Sequence, residues 1–241
     1  MKISVCLATF NGDRFLEEQI SSILHQLSNC DELIISDDGS TDKSIDIING
    51  FNDGRIKLLH NQNSRGVNAN FNNALMNATG DYVFLADQDD IWLDDKVKTC
   101  IRELQCYDCV IHDAYVVDEN KKVLADSFFK LRRSGKGFWK NIYANTYLGC
   151  CMAFRKEILQ DILPIPITKA FYHDDWIGSI ADVKYRLGFI PFKGILFRRY
   201  GNNTSSTAGK SKFSFMQKIK NRYIRVHNVC KRLNFNFAKI K

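Results

Sequence analysis

The sequence predicts an α/β fold with a mostly parallel, mixed sheet flanked by helices. Short apolar segments alternate with segments of helical periodicity four times within roughly the first 90 residues, and this alternation is typical of βαβ units. Polar clusters directly follow three of the apolar segments. Because ligands bind beyond the carboxyl ends of parallel strands, we expect the three clusters to form one site.

The first half of the chain supplies four predicted strands, at residues 2–8, 33–36, 55–60 and 82–86. Between them, apolar residues recur at spacings of three and four, as in residues 15–27, which indicates amphipathic helices. The polar clusters follow the first, second and fourth strands, at residues 9–11, 37–40 and 87–90.

The second half is less regular. We predict strands at residues 109–117, 147–154 and 189–199, and a helix from His173 to about residue 187 that Gly188 ends. Residues 127–140 are basic, contain two glycines and lack a clear period, so we predict a mobile loop there.

Charge is distributed unevenly along the 241 residues. The net charge is +7, yet residues 210–241 contain ten Lys or Arg and no Asp or Glu, which leaves 24 basic against 27 acidic residues in 1–209. Apolar residues in the tail recur every three or four positions, so we predict a basic amphipathic helix. Such a helix fits an anionic membrane surface. Alternatively it packs on its own domain. RNA binding is less favoured, since no nucleic-acid motif accompanies the charge.

Cysteine usage and hydropathy favour the cytoplasm. Eight scattered cysteines occur without an export signal, which favours reduced thiols. Cys106 and Cys109 form a CxxC, but no second pair completes a zinc site, so packing is the favoured explanation. No apolar run approaches the ~20 residues of a membrane span.

The cluster at residues 87–90 contains three carboxylates in four positions. Their mutual repulsion favours either protonation or a bound cation. Carboxylate oxygens suit Mg²⁺ or Mn²⁺, which bind through one or two carboxylates and substrate phosphates. The alternative is an acidic turn that caps the next helix, and we assign that role to Asp90.

Over roughly residues 2–205 the chain resembles the family 2 glycosyltransferases, nucleotide-sugar-dependent enzymes with the A-type fold. The resemblance is closest to the branch that makes bacterial O-antigen and capsular polysaccharides, described as rhamnosyl- or glucosyltransferases. It depends on several motifs in order: ISVCLATFNG, SDDGSTD, NSRGVNANFNNAL, ATGDYVFLADQDDIW, YLGCCMAFRKEIL, HDDW and RRYGNNTS.

The resemblance implies roles for the strand-end clusters. Asp87, Gln88 and Asp89 match the D-x-D motif, in which Asp89 would bind the divalent ion and Asp87 the ribose or the metal. Further nucleotide contacts are implied for Asp37 and Asp38 on the base or ribose, for Thr9 and Asn11 in the base pocket, and for Asn70.

The resemblance also implies roles in the second half. Asp174 would be the general base, kept ionised by the helix N-terminus that it precedes. His173, Asp175 and Trp176 would support the base or contact the acceptor. Trp176 could stack on a sugar; alternatively, as an aromatic residue at a helix start, it belongs to the core. Arg198 and Arg199 would clamp the diphosphate. Relatives often carry a histidine where this chain has Tyr200, so a histidine metal ligand is in doubt.

The implied function is metal-dependent (Mn²⁺ or Mg²⁺), inverting transfer of a sugar from a UDP- or dTDP-sugar to a saccharide acceptor. The acceptor would be linked to a polyprenyl diphosphate, and the enzyme would lie peripherally at the cytosolic face of the inner membrane. Residues 1–209 would form the catalytic domain (about 1–105 for the nucleotide, 106–209 for the acceptor), and 210–241 the membrane-contacting tail; no nucleic acid is expected.

Three alternatives remain. A nucleotidyltransferase shares the fold but needs a basic loop after the first strand, where this chain has Asp13. A nucleotide-sugar or glycan-binding module would lack turnover. A membrane or RNA adaptor would act through the tail.

Overall fold

The computed structural model describes residues 1–62, 64–200 and 214–234. Within these ranges, the strands are β1 Ile3–Thr9, β2 Glu32–Asp37, β3 Ile56–His60, β4 Tyr82–Asp87, β5 Ile91–Trp92, β6 Cys109–Val117, β7 Val123–Ala125, β8 Met152–Arg155 and β9 Leu187–Arg198. The α-helices are α1 Asp13–Leu24, α2 Ser44–Gly50, α3 Val67–Met76, α4 Lys96–Glu103, α5 Phe128–Arg132, α6 Phe138–Tyr143, α7 Leu159–Ile162, α8 His173–Lys184 and α9 Phe215–Leu233.

These strands form one mixed sheet in the order β3-β2-β1-β4-β8-β6-β9-β5, with β7 paired to β6. The first four strands in this order are parallel, which confirms the βαβ prediction. Strand β8 is antiparallel to both β4 and β6, while β6 and β9 are parallel. The sheet is therefore parallel among β1, β2, β3 and β4 and mixed in the rest.

The central strands are buried except near their carboxyl ends, where Ala8 and Asp87 are partly exposed. Val5 and Leu7 of β1, Ile34 of β2 and Phe84 of β4 are fully buried, as expected for parallel strands covered on both faces. Helix α3 packs on β1 and β2, and α1 packs on α2 and β5. Continuous apolar runs therefore explain why these strands were predicted within a residue or so of their bounds.

Strand register aligns the polar strand ends. Thr9 at the end of β1 pairs with Asp37 of β2, and Ala8 pairs with Asp87 of β4 on the other side. Since neighbouring strands lie about 4.8 Å apart, Asp37 and Asp87 flank the end of β1 at one edge of the sheet. The predicted convergence of these clusters is correct.

The predicted mobile loop at 127–140 is wrong, because this segment contains α5 and the start of α6. The Ser127 hydroxyl caps α5 by accepting a hydrogen bond from the Lys130 amide, at 3.1 Å. The Asn141 side chain donates to the carbonyls of Gly135 and Gly137, each at 3.0 Å. Side-chain hydrogen bonds, together with the buried side chains of Phe128 and Phe138, hold this segment.

Two further boundaries differ from the predictions. Gly149–Cys151 forms a single 3₁₀ turn, so only the end of the predicted strand at 147–154 is strand. Helix α8 ends at Lys184, and Gly188 lies inside β9. A Cβ atom on Gly188 would lie 2.8 Å from the Tyr107 ring, so this glycine permits close packing instead of ending a helix.

The tail forms a helix, as predicted, for the part of it that is described. Helix α9 packs on α8 and α6 and buries Arg225, Val226, Val229 and Cys230. Its first turns instead expose Phe215, Met216, Ile219 and Tyr223. The division between catalytic domain and tail at residue 209, and residues 210–213 and 235–241 of the tail, lie outside the described residues. No helix in the described ranges combines the length and the apolar character that crossing a bilayer requires.

Candidate functional site

Gln88, in the middle of the D-x-D segment, joins two of the strand-end loops. Its Oε1 atom accepts hydrogen bonds from the Thr9 hydroxyl and the Phe10 amide, both at 2.8 Å. Its Nε2 atom donates to the Phe10 carbonyl at 3.2 Å. A Cβ atom on Gly12 would lie 2.6 Å from Gln88 Oε1, so this glycine leaves room for the amide. The sequence analysis did not predict this role for Gln88. The signal that could have indicated it is that Gln88 is the one uncharged residue within residues 87–90.

Thr9, Asn11 and Asn70 build the loop after β1. Asn11 adopts a positive φ of 47°, and its Oδ1 atom accepts from the Thr41 amide at 2.8 Å. Asn70 is 3% exposed and donates from Nδ2 to the Thr9 carbonyl at 3.0 Å. All three residues therefore fix backbone at this edge, and their contact with a nucleotide stays a prediction.

Asp37 and Asp38 hold the neighbouring loop. Asp37 accepts from the amides of Gly39 at 2.9 Å and Ser40 at 3.0 Å. Asp38 accepts from Asn61 Nδ2 and from the Gly66 amide, each at 2.7 Å. Both carboxylates thus order the turn, as the Asp-Gly pattern predicts. Asp37 also accepts from the Ser40 hydroxyl, so both of its oxygens are used within the turn, whereas Asp38 retains lone pairs for a further donor.

Carboxylates crowd the end of β4. Burial, together with the charges of Asp89 and Asp174, raises the pKa of Asp87 to about 7. Burial also raises the pKa of Asp89, against a hydrogen bond from Tyr200. The first turn of α8 lies close to this loop: a Cβ atom on Gly149 would lie 3.4 Å from Asp174 Cβ, and Sγ of the next residue, Cys150, lies within 4.8 Å of an Asp87 oxygen. Like charges held together in this way favour a proton or a cation between them.

The prediction that Asp90 caps the following helix is wrong. Helix α4 begins at Lys96 with Asp95 at its N-cap position, and β5 lies between. Asp90 is instead fully buried and accepts from the Arg198 amide at 3.0 Å. It therefore fastens the end of β4 to the end of β9.

The carboxylate chemistry fits a divalent cation, but only part of the cluster suits it. Ligand atoms of Asp87, Asp90 and Cys150 lie within 4.8 Å of one another. Asp90 and Cys150 are fully buried, and burial raises the pKa of the Cys150 thiol well above its usual value. A neutral thiol is a poor ligand for Mg²⁺ or Mn²⁺. Asp87 and Asp89 are partly exposed carboxylates, so they fit such an ion better.

Arg198 braces this acidic loop. It is 1% exposed, its Nη1 donates to the Asp89 carbonyl at 3.0 Å, and its Nη2 pairs with Glu18 at 2.5 Å. These contacts do not favour the predicted clamp on a diphosphate. Arg199 is only partly buried, and the negative charge of Asp89 acts on it, so it is the better candidate for that role.

Asp174 and Asp175 begin α8 in different environments. Burial raises the pKa of Asp174 to about 7, and the positive charge of Arg225 opposes that rise. The prediction that the helix N-terminus keeps Asp174 ionised is therefore wrong, and Asp174 lies within the first turn of α8 instead of preceding it. Asp175 is committed on both oxygens: Oδ2 accepts from the Tyr172 amide at 3.2 Å, and Oδ1 forms an ion pair with Arg225. Of the two carboxylates, Asp174 is therefore the better candidate base.

The other two predicted residues of this motif are buried. His173 stacks on Phe71 with the ring centroids 3.8 Å apart, and burial lowers its pKa to about 3, so the ring is neutral. Trp176 is 1% exposed and donates from Nε1 to the Ile162 carbonyl at 2.8 Å. Its predicted stacking on a sugar is wrong, because the ring belongs to the core.

Comparison with known proteins identifies the family. The model of the family described as "Glycosyl transferase family 2" matches residues 4–163. A GalNAc(5)-diNAcBac-PP-undecaprenol β-1,3-glucosyltransferase of Campylobacter jejuni is 38% identical over 222 residues, which cover 89% of this chain and 70% of that protein. Three further curated relatives are longer, and the chain spans 39% to 66% of their lengths.

Solved structures share the fold. Residues 1–349 of Staphylococcus aureus TarS, in complex with UDP-GlcNAc, align with a TM-score of 0.71 at 21% identity, covering 95% of this chain and 67% of that chain. Glucosyl-3-phosphoglycerate synthase from Mycobacterium tuberculosis, in complex with Mn²⁺, UDP and phosphoglyceric acid, aligns with a TM-score of 0.61 at 16% identity, covering 98% and 79%. With the family model matching most of the chain, this protein belongs to glycosyl transferase family 2.

Proposed function

We propose that this protein transfers a sugar from a nucleoside-diphosphate donor to a saccharide acceptor. The observation that carries the proposal is that Asp174, from the start of α8, and Asp87, from the end of β4, both lie beside the Gly149–Cys151 turn. A Cβ atom on Gly149 would lie 3.4 Å from Asp174 Cβ, and Cys150 has its Sγ within 4.8 Å of an Asp87 oxygen. Family membership supplies the reaction class, and the paired strand ends supply an edge where a nucleotide can bind.

The donor would bind at the loops after β1, β2 and β4. Asp87 and Asp89 would hold Mn²⁺ or Mg²⁺, and the M. tuberculosis neighbour contains Mn²⁺ together with UDP. When bound, the ion supplies positive charge for a diphosphate leaving group. The nucleoside would contact Thr9, Asn11, Asp37, Asp38 and Asn70. Curated relatives named for UDP-Glc and dTDP-rhamnose support a uracil or thymine base.

Asp174 would act as the general base in a single displacement that inverts the anomeric configuration. Its carboxylate takes the proton from an acceptor hydroxyl as the hydroxyl oxygen bonds to the anomeric carbon, while the nucleoside diphosphate leaves. A pKa near 7 places this carboxyl where it can gain and lose a proton at physiological pH. Arg199 would bind the departing diphosphate.

The acceptor would be a saccharide on a polyprenyl diphosphate, in the synthesis of a bacterial surface polysaccharide. The C. jejuni relative is named for such an acceptor. The exposed apolar side chains of Met216, Ile219 and Tyr223 on α9, with Lys218 and Lys220 beside them, fit an anionic bilayer surface. This supports a peripheral position at the cytosolic face of the inner membrane.

A product assay tests the proposed function. Wild-type protein and Asp174→Asn are incubated with Mn²⁺, a panel of UDP- and dTDP-sugars, and undecaprenyl-diphosphate saccharides. We expect one donor to give a new linkage of inverted configuration by NMR with wild-type protein, and a rate reduced at least about 100-fold in Asp174→Asn. Retained configuration, full turnover in EDTA, or an Asp174→Asn variant as fast as wild type would contradict the proposal.

A further inference from the structure

Arg225 connects the C-terminal helix to the candidate base. Its side chain, 5% exposed, projects from the middle of α9 between α8 and α6. One guanidinium nitrogen pairs with Asp175 Oδ1, and the other donates to the Asn141 carbonyl of α6. Because the buried guanidinium makes both contacts, it joins α6, α8 and α9 at one point.

Through Asp175, the contact with Arg225 restrains the first turn of α8. While Oδ1 pairs with Arg225, Oδ2 accepts from the Tyr172 amide at 3.2 Å. The Asp175 amide in turn donates to Asp174 Oδ1 at 2.8 Å. The orientation of Asp174 therefore depends, through Asp175, on Arg225, which lies 50 positions after Asp175 in the chain.

From the other side, the same turn has little room to move. A Cβ atom on Gly149 would lie 2.5 Å from His173 Nε2 and 3.4 Å from Asp174 Cβ, and the His173 ring stacks on Phe71. The 3₁₀ turn and α3 thus pack against one side of the first turn of α8. Arg225 contacts the opposite side.

We propose that Arg225 is a positioning residue of the transferase site, holding the first turn of α8 so that Asp174 faces the acceptor hydroxyl. This inference rests on the proposed function and extends it. It gives α9 a role in positioning the candidate base, in addition to any membrane contact. Residues after the family-model match at 4–163 would then complete the site.

Arg222 provides a matched control on the same helix. It is one turn before Arg225, and its guanidinium donates to the Tyr143 carbonyl of α6 at 2.8 Å. It carries the same charge and also docks α9, but it has no contact with Asp175 among those described. A general loosening of α9 therefore affects both arginine variants, whereas a loss of positioning affects only Arg225.

Backbone hydrogen exchange of the full chain tests the placement without any substrate. We expect Arg225→Met to speed exchange of the hydrogen-bonded amides at residues 175–177 by about tenfold or more, with Arg222→Met close to wild type there. Arg225→Lys should recover part of the protection, because it restores the charge opposite Asp175 but not the second hydrogen bond. Wild-type exchange at these amides in Arg225→Met would overturn the inference, as would equal effects of the two methionine variants.

Turnover and donor binding complete the test. With the donor and acceptor found by the product assay, Arg225→Met should lower kcat by about 10- to 100-fold, while the thermal shift given by UDP with Mn²⁺ stays that of wild type. If Arg225→Met does not fold, Arg225→Lys and Asp175→Asn carry the same comparison. Unchanged kcat in all of them would refute the positioning role. If wild-type protein transfers no sugar, the proposed function fails, and hydrogen exchange still decides whether Arg225 orders this turn.

Discussion

The Tyr200 hydroxyl donates a hydrogen bond of 2.8 Å to Oδ2 of Asp89, the predicted metal ligand. Burial and the negative charge of Asp89 raise the pKa of Tyr200 far above its usual range, so the phenol stays a neutral donor. The resemblance to family 2 associates a histidine with this position, and the sequence has Tyr200 there. In this chain a tyrosine two residues beyond the end of β9 orients the carboxylate.

Removing this hydroxyl tests the relationship. We expect Tyr200→Phe to weaken Mn²⁺ affinity in the presence of UDP by about tenfold, since a ligand whose outer hydrogen bond is lost is no longer pre-oriented. Titration of Mn²⁺ followed by calorimetry measures the change. Tyr143→Phe, at a ring that is 73% exposed, is the matched control. Equal affinity in wild type and Tyr200→Phe would show that the hydrogen bond does not assist the metal.

Gln88 gives a second prediction about the same edge. Its amide ties the loops after β1 and β4, so Gln88→Ala should free both loops and weaken UDP binding by about tenfold. The free energy of unfolding should fall by only about 1 kcal/mol, because the hydrogen bonds lost are partly exposed. Calorimetry and urea unfolding measure the two effects. Wild-type UDP affinity in Gln88→Ala would mean that the loops hold their positions without the amide.

A prediction for Trp176 distinguishes a role in the core from a role in binding a sugar. Because its ring is buried and its Nε1 donates to Ile162, Trp176→Ala should lower the free energy of unfolding by about 3–5 kcal/mol. Trp139→Ala, at a ring that is 46% exposed, should cost much less. Urea unfolding measures both. A small loss of stability in Trp176→Ala, together with a large rise in acceptor KM, would restore the sugar-stacking role.

Glu32 contributes to the dependence of the free energy of unfolding on pH in the acid range. The carboxylate is 2% exposed. Burial raises its pKa, but hydrogen bonds from Lys57, Ser4, the Thr79 amide and Lys2 outweigh that and lower the pKa overall. With a folded-state pKa below the unfolded value of about 4.3, the stabilisation is present at neutral pH. It is lost as the pH falls below that value toward the folded-state pKa.

We therefore expect Glu32→Gln to lower the free energy of unfolding at neutral pH by about 3 kcal/mol. The variant should also lose less stability than wild type between neutral pH and about pH 3. Glu119→Gln, which removes an exposed pair with Arg14, should change it by less than about 1 kcal/mol. Urea unfolding across this pH range measures both. Parallel stability curves for wild type and Glu32→Gln would contradict the assignment.

The sequence predicted the first half of the fold well because burial on both faces leaves continuous apolar runs in β1, β2 and β4. Strand β6, at Cys109–Val117, was predicted with the observed bounds for the same reason. The short helices α5 and α6 were missed because they have only five and six residues, too few to show an apolar period, and because hydrogen bonds of Ser127 and Asn141 help to define them. Gly188 was misread because its role depends on Tyr107, which lies far from it in sequence.

Some features of the candidate site could likewise be predicted from the sequence, and others could not. That the clusters after β1, β2 and β4 meet follows from parallel topology, so Asp37 and Asp87 could be predicted as neighbours. The burial of Arg198, the hydrogen bond from Tyr200 to Asp89 and the ion pair of Arg225 could not. Each depends on how a distant strand end or the tail folds back onto the site, and single-sequence patterns do not encode such contacts.

Calorimetric titration of UDP and dTDP, with and without Mn²⁺, into wild-type protein and Asp89→Asn tests the central claim most directly. If carboxylates at the edge of the sheet bind a nucleoside diphosphate through a divalent ion, wild type binds one of the two only when Mn²⁺ is present, and Asp89→Asn loses that binding. Metal-independent binding, binding of neither nucleotide, or undiminished binding by Asp89→Asn would contradict it.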